Sequence, residues 1–311
     1  MAIDYTTTAL IASVKRRASV PTSQSLFEST DFNSILTDEM QSIIVPLIMA
    51  EQQDFFIHSK DLAIDGSTRE FDIPTRAVGM KVKDVGFYRT SSNDFDSRPR
   101  LNISDFGDPQ GDMVKSLGGF YLQGNKIVFS DAPTNTGDKL RVYYYRRPNN
   151  LIAENKAAKI ASIDTGTKTL TFGSRPTAWT TSTTFDLIKG TPGFHSLADD
   201  ATVSAIDTLT LTFTDDLPTG LAVGDWVGES GESPVAQIPY SAQPLLSQLG
   251  SVKILEALGD LKGMQMAQEK YQMLVQNFVR TISKRVDNSP KKIINRNGIF
   301  SGVRRRHFRN Y

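Results

Sequence analysis

The sequence contains no cysteine and no long apolar run. Without thiols the chain cannot form disulfides or thiolate-bound metal sites. The most apolar stretch covers residues 43–50 and is interrupted by Pro46, whereas a membrane-spanning helix needs about 20 apolar residues. The first residues, MAIDYTTTAL, also lack the basic start and apolar centre of a signal peptide. The sequence therefore predicts a soluble, unsecreted protein that does not contact a membrane.

The motifs of common enzyme classes are missing as well. HExxH, GxGxxG, P-loop and GxSxG patterns do not occur. The three histidines, His58, His195 and His307, are scattered, and no thiolate is present to complete a zinc site with them. We therefore expect no catalytic residue, no metal and no cofactor, and hence a protein that is not an enzyme.

Paired acidic residues are the nearest approach to a catalytic pattern. Asp199-Asp200 and Asp215-Asp216 lie among Gly, Pro and Thr residues, where aspartates usually cap turns, so catalysis by either pair is the weaker alternative. Asp105 and Asp108 lack the glycine and glutamate spacing of a calcium loop. All of these acidic residues are therefore expected in turns or solvated loops.

Acidic residues are absent from Asn288 to the C-terminus. That stretch carries seven basic residues, and subtracting them from the formal net charge of +1 leaves −6 on the rest of the chain. Apolar residues are interspersed with the charges, which argues against plain disorder. We predict that 289–311 is an extended basic tail that docks on a partner protein through Arg304, Arg305, Arg306, Phe308, Arg309 and Tyr311. Binding of the arginines to DNA phosphates is the alternative.

The N-terminal region, 1–59, has apolar residues at helical spacing. A short helix is expected before Pro21, and a longer one from about Asp31. The apolar stripe of the longer helix continues past Pro46, which predicts a kink there rather than an end.

A helical period returns in the C-terminal region, 239–288, where one long helix is predicted from 244 to 287. Gly250, Gly259 and Gly263 either break this helix or allow a neighbouring helix to approach closely. We expect the two helical regions to close one bundle.

Two β-regions separate the helices. Residues 60–150 alternate with period two and predict an antiparallel meander, in which GGFYLQGNKIVFS forms a hairpin turning at Gly124-Asn125. Residues 151–238 contain an internal echo, because KIASIDTGTKTLTF and ATVSAIDTLTLTF share an Ile-Asp-Thr turn and end in Leu-Thr-Phe. This pattern predicts a small β-barrel or sandwich built from duplicated hairpins, with chance similarity of Thr-rich strands as the alternative.

The predicted fold class is therefore α+β. A helical bundle formed from both chain ends encloses an antiparallel β-domain and a second, inserted β-module, followed by the basic tail. We expect the module, 151–238, to be a peripheral insertion that can be removed without loss of assembly. Trp179 and Trp226 could offer a sugar-binding platform in it, although core packing is favoured for Trp226.

The segment YYYRRP mixes aromatic residues with arginines. Strand alternation places Tyr143 and Tyr145 on one face with Arg147, and Tyr144 with Arg146 on the other. Nucleic-acid-binding sheets combine these residue types, but so does a half-buried strand at a protein interface. We favour the interface, with Tyr143, Tyr145, Arg146 and Arg147 as candidates.

Three strings, FDIPTRAVGMKVKDVGFY, GFYLQGNKIVFSDAP and LRVYYYRRPNNLI, resemble head-to-tail connector (adaptor) proteins of tailed bacteriophages, particularly short-tailed ones. The flanking helices and the basic tail are similar to that family too. The resemblance covers roughly 1–150 and 238–311 and leaves 151–238 as an extra module.

This resemblance implies a non-enzymatic virion protein at the head-to-tail junction, assembled in the host cytoplasm. Its expected form is a homo-oligomeric ring of about twelve copies, docked beneath the portal protein. Such a ring extends the channel for double-stranded DNA, without sequence-specific binding, and offers a platform for tail tube, nozzle or fibre proteins. Two other classes stay open: a nucleic-acid-binding protein that uses the basic tail, and a carbohydrate-binding tail or fibre component that uses the inserted module.

Overall fold

The structure, a computed structural model, describes residues 5–21, 26–101, 119–191 and 193–282. In these residues the protein is mixed α+β, with helices towards both ends of the chain and mostly antiparallel sheets between them. The predicted tail, 289–311, and the pair Asp105 and Asp108 lie outside the described residues.

The N-terminal helices are α1, Thr7–Arg17, and a longer helical segment made of α2, Ser29–Glu39, a π-helical turn, Met40–Ile44, and α3, Val45–Glu51. The α2 helix begins two residues earlier than predicted, because Glu28 is its cap and donates its backbone N–H to Asp31 Oδ2 at 2.8 Å. The π-helical turn directly precedes Pro46, whose ring would crowd an ordinary helical turn.

The predicted C-terminal helix is two helices, α4, Gln243–Leu258, and α5, Leu261–Ile282. Gly259 ends α4 in the left-handed conformation, with φ 74°. Gly250 instead allows neighbouring helices to approach closely, since a Cβ there would lie 2.8 Å from Leu36 Cδ2 and 3.1 Å from Val14 Cγ2. Its missing side chain lets α4 pack closely against α1 and α2.

Helices from both ends of the chain share one hydrophobic core. The buried side chains come from α1, α2, the π-helical turn, α3, α4 and one face of α5, and include Leu10, Val14, Phe32, Leu36, Ile44, Leu245, Leu249, Tyr271 and Phe278. The helical spacing of apolar residues in both regions is accounted for by this core, except at Ile43 and Leu258, which are 38% and 45% exposed.

The first β-region forms two sheets rather than the predicted meander. The four-stranded sheet has the order β1-β7-β3-β4, from Ile57–Ala63, Lys139–Arg146, Ala77–Arg89 and Asp94–Ser97. The three-stranded sheet has the order β2-β6-β5, from Glu70–Asp72, Lys126–Phe129 and Phe120–Gln123. The meander was wrong because β7, the last strand of the region, lies between β1 and β3. The hairpin at Gly124-Asn125 is confirmed, with φ 59° at Gly124.

The second β-region forms a seven-stranded sheet of order β12-β11-β15-β9-β10-β14-β13. In chain order its strands are β9 Ala158–Asp164, β10 Thr169–Phe172, β11 Phe185–Ile188, β12 Ser196–Ala201, β13 Val203–Ile206, β14 Thr210–Phe213 and β15 Trp226–Glu229. The echoed segments meet along β10 and β14, where Leu170 pairs with Leu211. Thr202 alone separates the two edge strands, β12 and β13, so the sheet curls around its core. No closed barrel is formed among the described strands.

The chain enters and leaves this module at one place. The short strands β8, Asn150–Leu151, and β16, Glu232–Ser233, pair in parallel. Beside them, Thr7 at the start of α1 donates its N–H to Pro234 O at 2.8 Å. The two ends of the module are thereby fastened to each other and to the helical region.

Candidate interaction face and buried charge network

The two faces of β7 have different environments. Leu140, Val142, Tyr144 and Arg146 are buried, whereas Arg141, Tyr143 and Tyr145 are only partly covered. Alternation in LRVYYYR produces this pattern, because successive side chains of a strand point to opposite faces. The predicted separation of Tyr143 and Tyr145 from Tyr144 and Arg146 is therefore seen.

On the outer face of the four-stranded sheet, side chains from neighbouring strands hold one another in place. Arg141 donates to both carboxylate oxygens of Asp61 on β1, at 2.6 and 2.8 Å, and its guanidinium lies 3.6 Å from the ring centroid of Tyr88. Tyr143 packs edge-on against Phe95, with 5.1 Å between ring centroids. The outer face is thus an ordered, partly exposed group of aromatic and charged side chains.

On the inner face, Arg146 enters a network of buried polar groups. Its Nε and Nη2 donate to the two carboxylate oxygens of Asp199 at 2.9 and 2.8 Å. Nη2 also donates to Asn149 Oδ1 at 2.8 Å, and Nη1 donates to Gln237 Oε1 at 3.1 Å. All three guanidinium nitrogens therefore have acceptors inside the chain.

Arg76, in the loop before β3, is the second cation of this network. Its Nη1 donates to Asp186 Oδ2 at 2.5 Å, and its Nη2 donates to Asp200 Oδ1 at 2.6 Å. The Asp186 side chain is fully buried and also accepts hydrogen bonds from Asn149 Nδ2 and the backbone N–H groups of Gly231 and Asp200. All the hydrogen bonds that this carboxylate accepts come from groups inside the chain, as a buried charged group requires.

The charges in the network nearly cancel. Three aspartates face the two arginines, and Lys60 Nζ lies 3.9 Å from Asp200. Burial by itself would raise the pKa of Asp199, but the charge and hydrogen bonds of Arg146, with help from His58 and Ser196, outweigh burial and hold that pKa at about 2. Burial lowers the pKa of His58, although the nearby Asp199 opposes this effect. At neutral pH the network therefore contains ionised Asp199 and a neutral His58.

The network joins the two β-regions. Arg76 and Arg146 belong to the first region, whereas Asp186, on β11, and Asp199 and Asp200, on β12, belong to the inserted module. The expectation that Asp199-Asp200 caps a turn was wrong, because these residues lie in a strand and bind arginines of another region. The module neutralises two largely buried cations, so its removal is expected to be more damaging than a peripheral insertion would suggest.

The four predicted interface residues are placed differently by the structure. Tyr143 and Tyr145 are partly exposed on the outer face, and Arg147 is exposed. Arg146 is 6% exposed and bound within the chain, which leaves it little surface for another subunit. The six predicted docking residues of the tail lie outside the described residues.

Sequence reasoning missed the partners in the network. Arg76 and Asp186 are 110 residues apart, and Arg146 and Asp199 are 53 residues apart. Neither pair has a local motif. The only available signal was a charged residue at an inward position of a strand, which is where alternation placed Arg146.

Other binding features are limited among the described residues. No group of three or more His, Cys, Asp or Glu side chains there has a geometry that could hold a metal ion. Trp179 and Trp226 are 3% and 8% exposed, which supports core packing for both. None of the helices in the described ranges is long and apolar enough to cross a membrane.

No protein-family model matches the chain, and no curated protein is similar to it in sequence. Function must therefore be inferred from the residues themselves.

Proposed function

We propose that this protein is a structural virion subunit that forms a ring with copies of itself at the head-to-tail junction of a tailed phage. The ring would dock beneath the portal, extend the DNA channel and support tail tube, nozzle or fibre proteins. The outer face of the four-stranded sheet carries the proposal, because it combines Arg141, Tyr143, Tyr145, Tyr88 and Phe95 in partly exposed positions.

The composition and order of this face suit contact with another protein chain. Tyrosine, phenylalanine and arginine are enriched at protein interfaces. Because Asp61 already fixes Arg141, and Phe95 supports Tyr143, little side-chain freedom remains to be lost when a neighbouring subunit binds. We infer that a second copy of the chain contacts this face.

Two further observations support the connector-like arrangement. The helices near both chain ends share one core, as expected for a bundle that holds inserted β-regions. The three connector-like strings coincide with β2 and β3, the β5–β6 hairpin, and β7 with β8. The resemblance therefore falls on complete structural units and not on scattered residues.

Nucleic-acid binding is less well supported as the main function. Arg146 of YYYRRP is buried against Asp199, and Arg141 on the outer face is paired with Asp61. Asp84 also lies on that face, where it accepts a hydrogen bond from Ser97. A surface with its arginines neutralised in this way has little excess positive charge for phosphates.

Sugar binding by the module also loses its proposed platform. Both tryptophans of the module are buried and cannot stack on a sugar ring from solvent.

The basic tail completes the proposal on sequence grounds alone. Its arginines suit carboxylates on the portal, and its aromatic residues supply apolar anchors. Replacing Arg304, Arg305 and Arg306 with alanine, and separately Phe308 with Tyr311, should each weaken portal attachment. If only the arginine variant has an effect, and it acts by abolishing DNA binding, the docking role is wrong.

The deciding experiment is sedimentation of the full chain with and without the portal of the same virus. We expect a large ring-shaped complex with the portal, and a monomer or a ring without it. Tyr143→Ala should reduce assembly, whereas Tyr240→Ala, which removes a tyrosine that is 52% exposed elsewhere, serves as the matched control. Absence of any complex between the wild-type chain and its portal would refute the proposal.

A further inference from the structure

A small pocket of about 40 Å³ lies where the helical region, the first β-region and the inserted module meet. Its walls come from all three parts and include Phe56, His58, Arg146, Pro148, His195 and Gln237. At roughly 10–15 Å³ per water molecule, the space holds about three waters or one small polar group. It is distinct from the outer sheet face.

The titratable groups that line this pocket are all basic. His58, Arg146 and His195 contribute, and none of the described residues that line it is Asp or Glu. The nearest carboxylate behind the wall is Asp199, whose Oδ2 lies 3.4 Å from His58 Nε2 and which is already paired with Arg146. Arg76, Asp186, Asp200 and Lys60 lie further along the same network. Arg146 and His58 are thus already engaged by Asp199, and the described walls add basic side chains without a carboxylate of their own.

Gln237 provides the most specific feature of the pocket. Its side-chain oxygen accepts hydrogen bonds from Arg146 Nη1 at 3.1 Å and from the backbone N–H of Asn149 at 2.9 Å. These two donors fix the amide orientation, so the NH₂ group is turned away from them. Gln237 is 4% exposed, and its Nε2 has no acceptor among the described residues. A buried donor of this kind calls for an acceptor.

We propose that this pocket binds a carboxylate group, taken either from a small free acid or from an acidic residue or chain end of a protein partner. One carboxylate oxygen accepts from Gln237 Nε2, and the negative charge lies among His58, His195 and Arg146. The apolar walls at Phe56 and Pro148 cover the carbon that carries the carboxylate. This inference does not depend on ring assembly.

Histidine-selective ¹³C labelling of the full chain offers a direct test, since the sequence contains only three histidines. Acetate should shift the ring signals of His58 and His195 in a saturable manner, with each signal assigned from a His→Gln variant. The titration should extend to about 100 mM at constant ionic strength, because a ligand with so few atoms binds in the millimolar range at best. Acetamide, the uncharged isostere, should produce no saturable shift.

The matched variant is Gln237→Glu. It keeps an oxygen acceptor for Arg146 and Asn149 but replaces the NH₂ donor with a second negatively charged oxygen. This charge adds to the three aspartates of the network, so the thermal midpoint should fall, and the titration is made at a temperature at which circular dichroism shows the variant folded. We expect acetate binding to weaken at least tenfold there. Non-saturable shifts, equal shifts with acetamide, or unchanged binding in Gln237→Glu would each overturn the proposal and leave ordered water as the occupant.

A short peptide with a free C-terminal carboxylate, its amidated form and N-acetyl-aspartate amide identify the source of the group. Binding no tighter than acetate assigns the pocket to small acids. Tighter binding of one carboxylate-bearing compound, lost on amidation or in Gln237→Glu, assigns it to a protein partner.

Discussion

Strand β7 carries two arginines that each donate hydrogen bonds to both carboxylate oxygens of one aspartate. We call each such pair a fork, and the two forks differ mainly in burial. Arg141 binds both oxygens of Asp61 on the outer face, where the side chains are 22% and 28% exposed. Arg146 binds both oxygens of Asp199 on the inner face, where they are 7% and 13% exposed. The bond lengths are similar, so geometry alone does not tell the two forks apart.

Solvent access decides what each fork contributes. Water competes with the Arg141–Asp61 pair and screens it, so the pair orders a surface but adds little stability. The Arg146–Asp199 pair has already lost its hydration, and either partner left alone would be a buried, uncompensated charge. The inner fork is therefore expected to contribute strongly to the stability of the fold, whereas the outer fork is available to order a contact with another molecule.

The largest expected effect comes from removing the module. If residues 151–238 are replaced by a short Gly/Ser linker, Arg76 and Arg146 lose all three aspartates, and the remaining chain should fail to fold. The same deletion combined with Arg76→Met and Arg146→Met should regain cooperative unfolding, measured by circular dichroism on heating. If the protein with the deletion alone folds as well as the protein that combines the deletion with Arg76→Met and Arg146→Met, the network is not needed for folding.

Asp199→Ala should be the most damaging of the single substitutions considered. Removing one partner of a buried ion pair costs about 3–5 kcal/mol of unfolding free energy. Urea denaturation at neutral pH measures this loss. Adding Arg146→Met to Asp199→Ala should recover much of it, since the uncompensated cation is then gone. If Arg146→Met does not recover stability, the unfolding free energy lost in Asp199→Ala comes from lost packing and not from an uncompensated charge.

Acid should weaken the inner fork at a defined pH. Asp199 has a pKa of about 2 in the folded protein, below its ordinary value, so its contribution of about 2 kcal/mol is present above about pH 4 and disappears between about pH 4 and pH 2. The pKa of His58 is also lowered, so protonating it likewise favours unfolding, beginning as pH falls below about 6.5. Urea midpoints at pH 7, 5 and 3 should decline in the wild type. Asp199→Asn should flatten the lower part of this decline, and Asp61→Asn should not.

The sequence was informative about faces and poor about partners. Period-two alternation separated Tyr143 from Arg146 correctly, and helical spacing found a core shared by both chain ends, because both patterns follow from local backbone geometry. The network depends on how two β-regions dock, and no local pattern encodes the approach of Arg76 to Asp186, which are 110 positions apart in the sequence. The meander failed for the same reason, since strand order is a tertiary property.

Tyr143→Ala tests the outer face as an interface. The edge-on contact with Phe95 is worth about 0.5–1.5 kcal/mol, so the isolated subunit should lose on the order of 1.5 kcal/mol of unfolding free energy at most from this contact. Assembly with the portal, followed by sedimentation, should suffer far more, because the same substitution recurs at each subunit contact. If Tyr143→Ala and the Tyr240→Ala control assemble equally well, the outer face is not part of the subunit interface.

The smallest effect on folding is expected from the outer fork. Asp61→Ala should reduce the unfolding free energy by less than about 1 kcal/mol, because Arg141 keeps solvent access and its stacking over Tyr88 after the carboxylate is lost. High salt should reduce even this difference, since it screens exposed charges.

Exchanging the two partners within each arginine–aspartate pair makes the comparison sharper. Asp61→Arg with Arg141→Asp should fold normally, because either orientation of an exposed pair is solvated. Asp199→Arg with Arg146→Asp should not fold, because Asn149 and Gln237 direct oxygen atoms at the position of the original guanidinium, and an aspartate there would face acceptors without donors. Normal folding of the reversed inner fork would show that burial does not separate the two pairs.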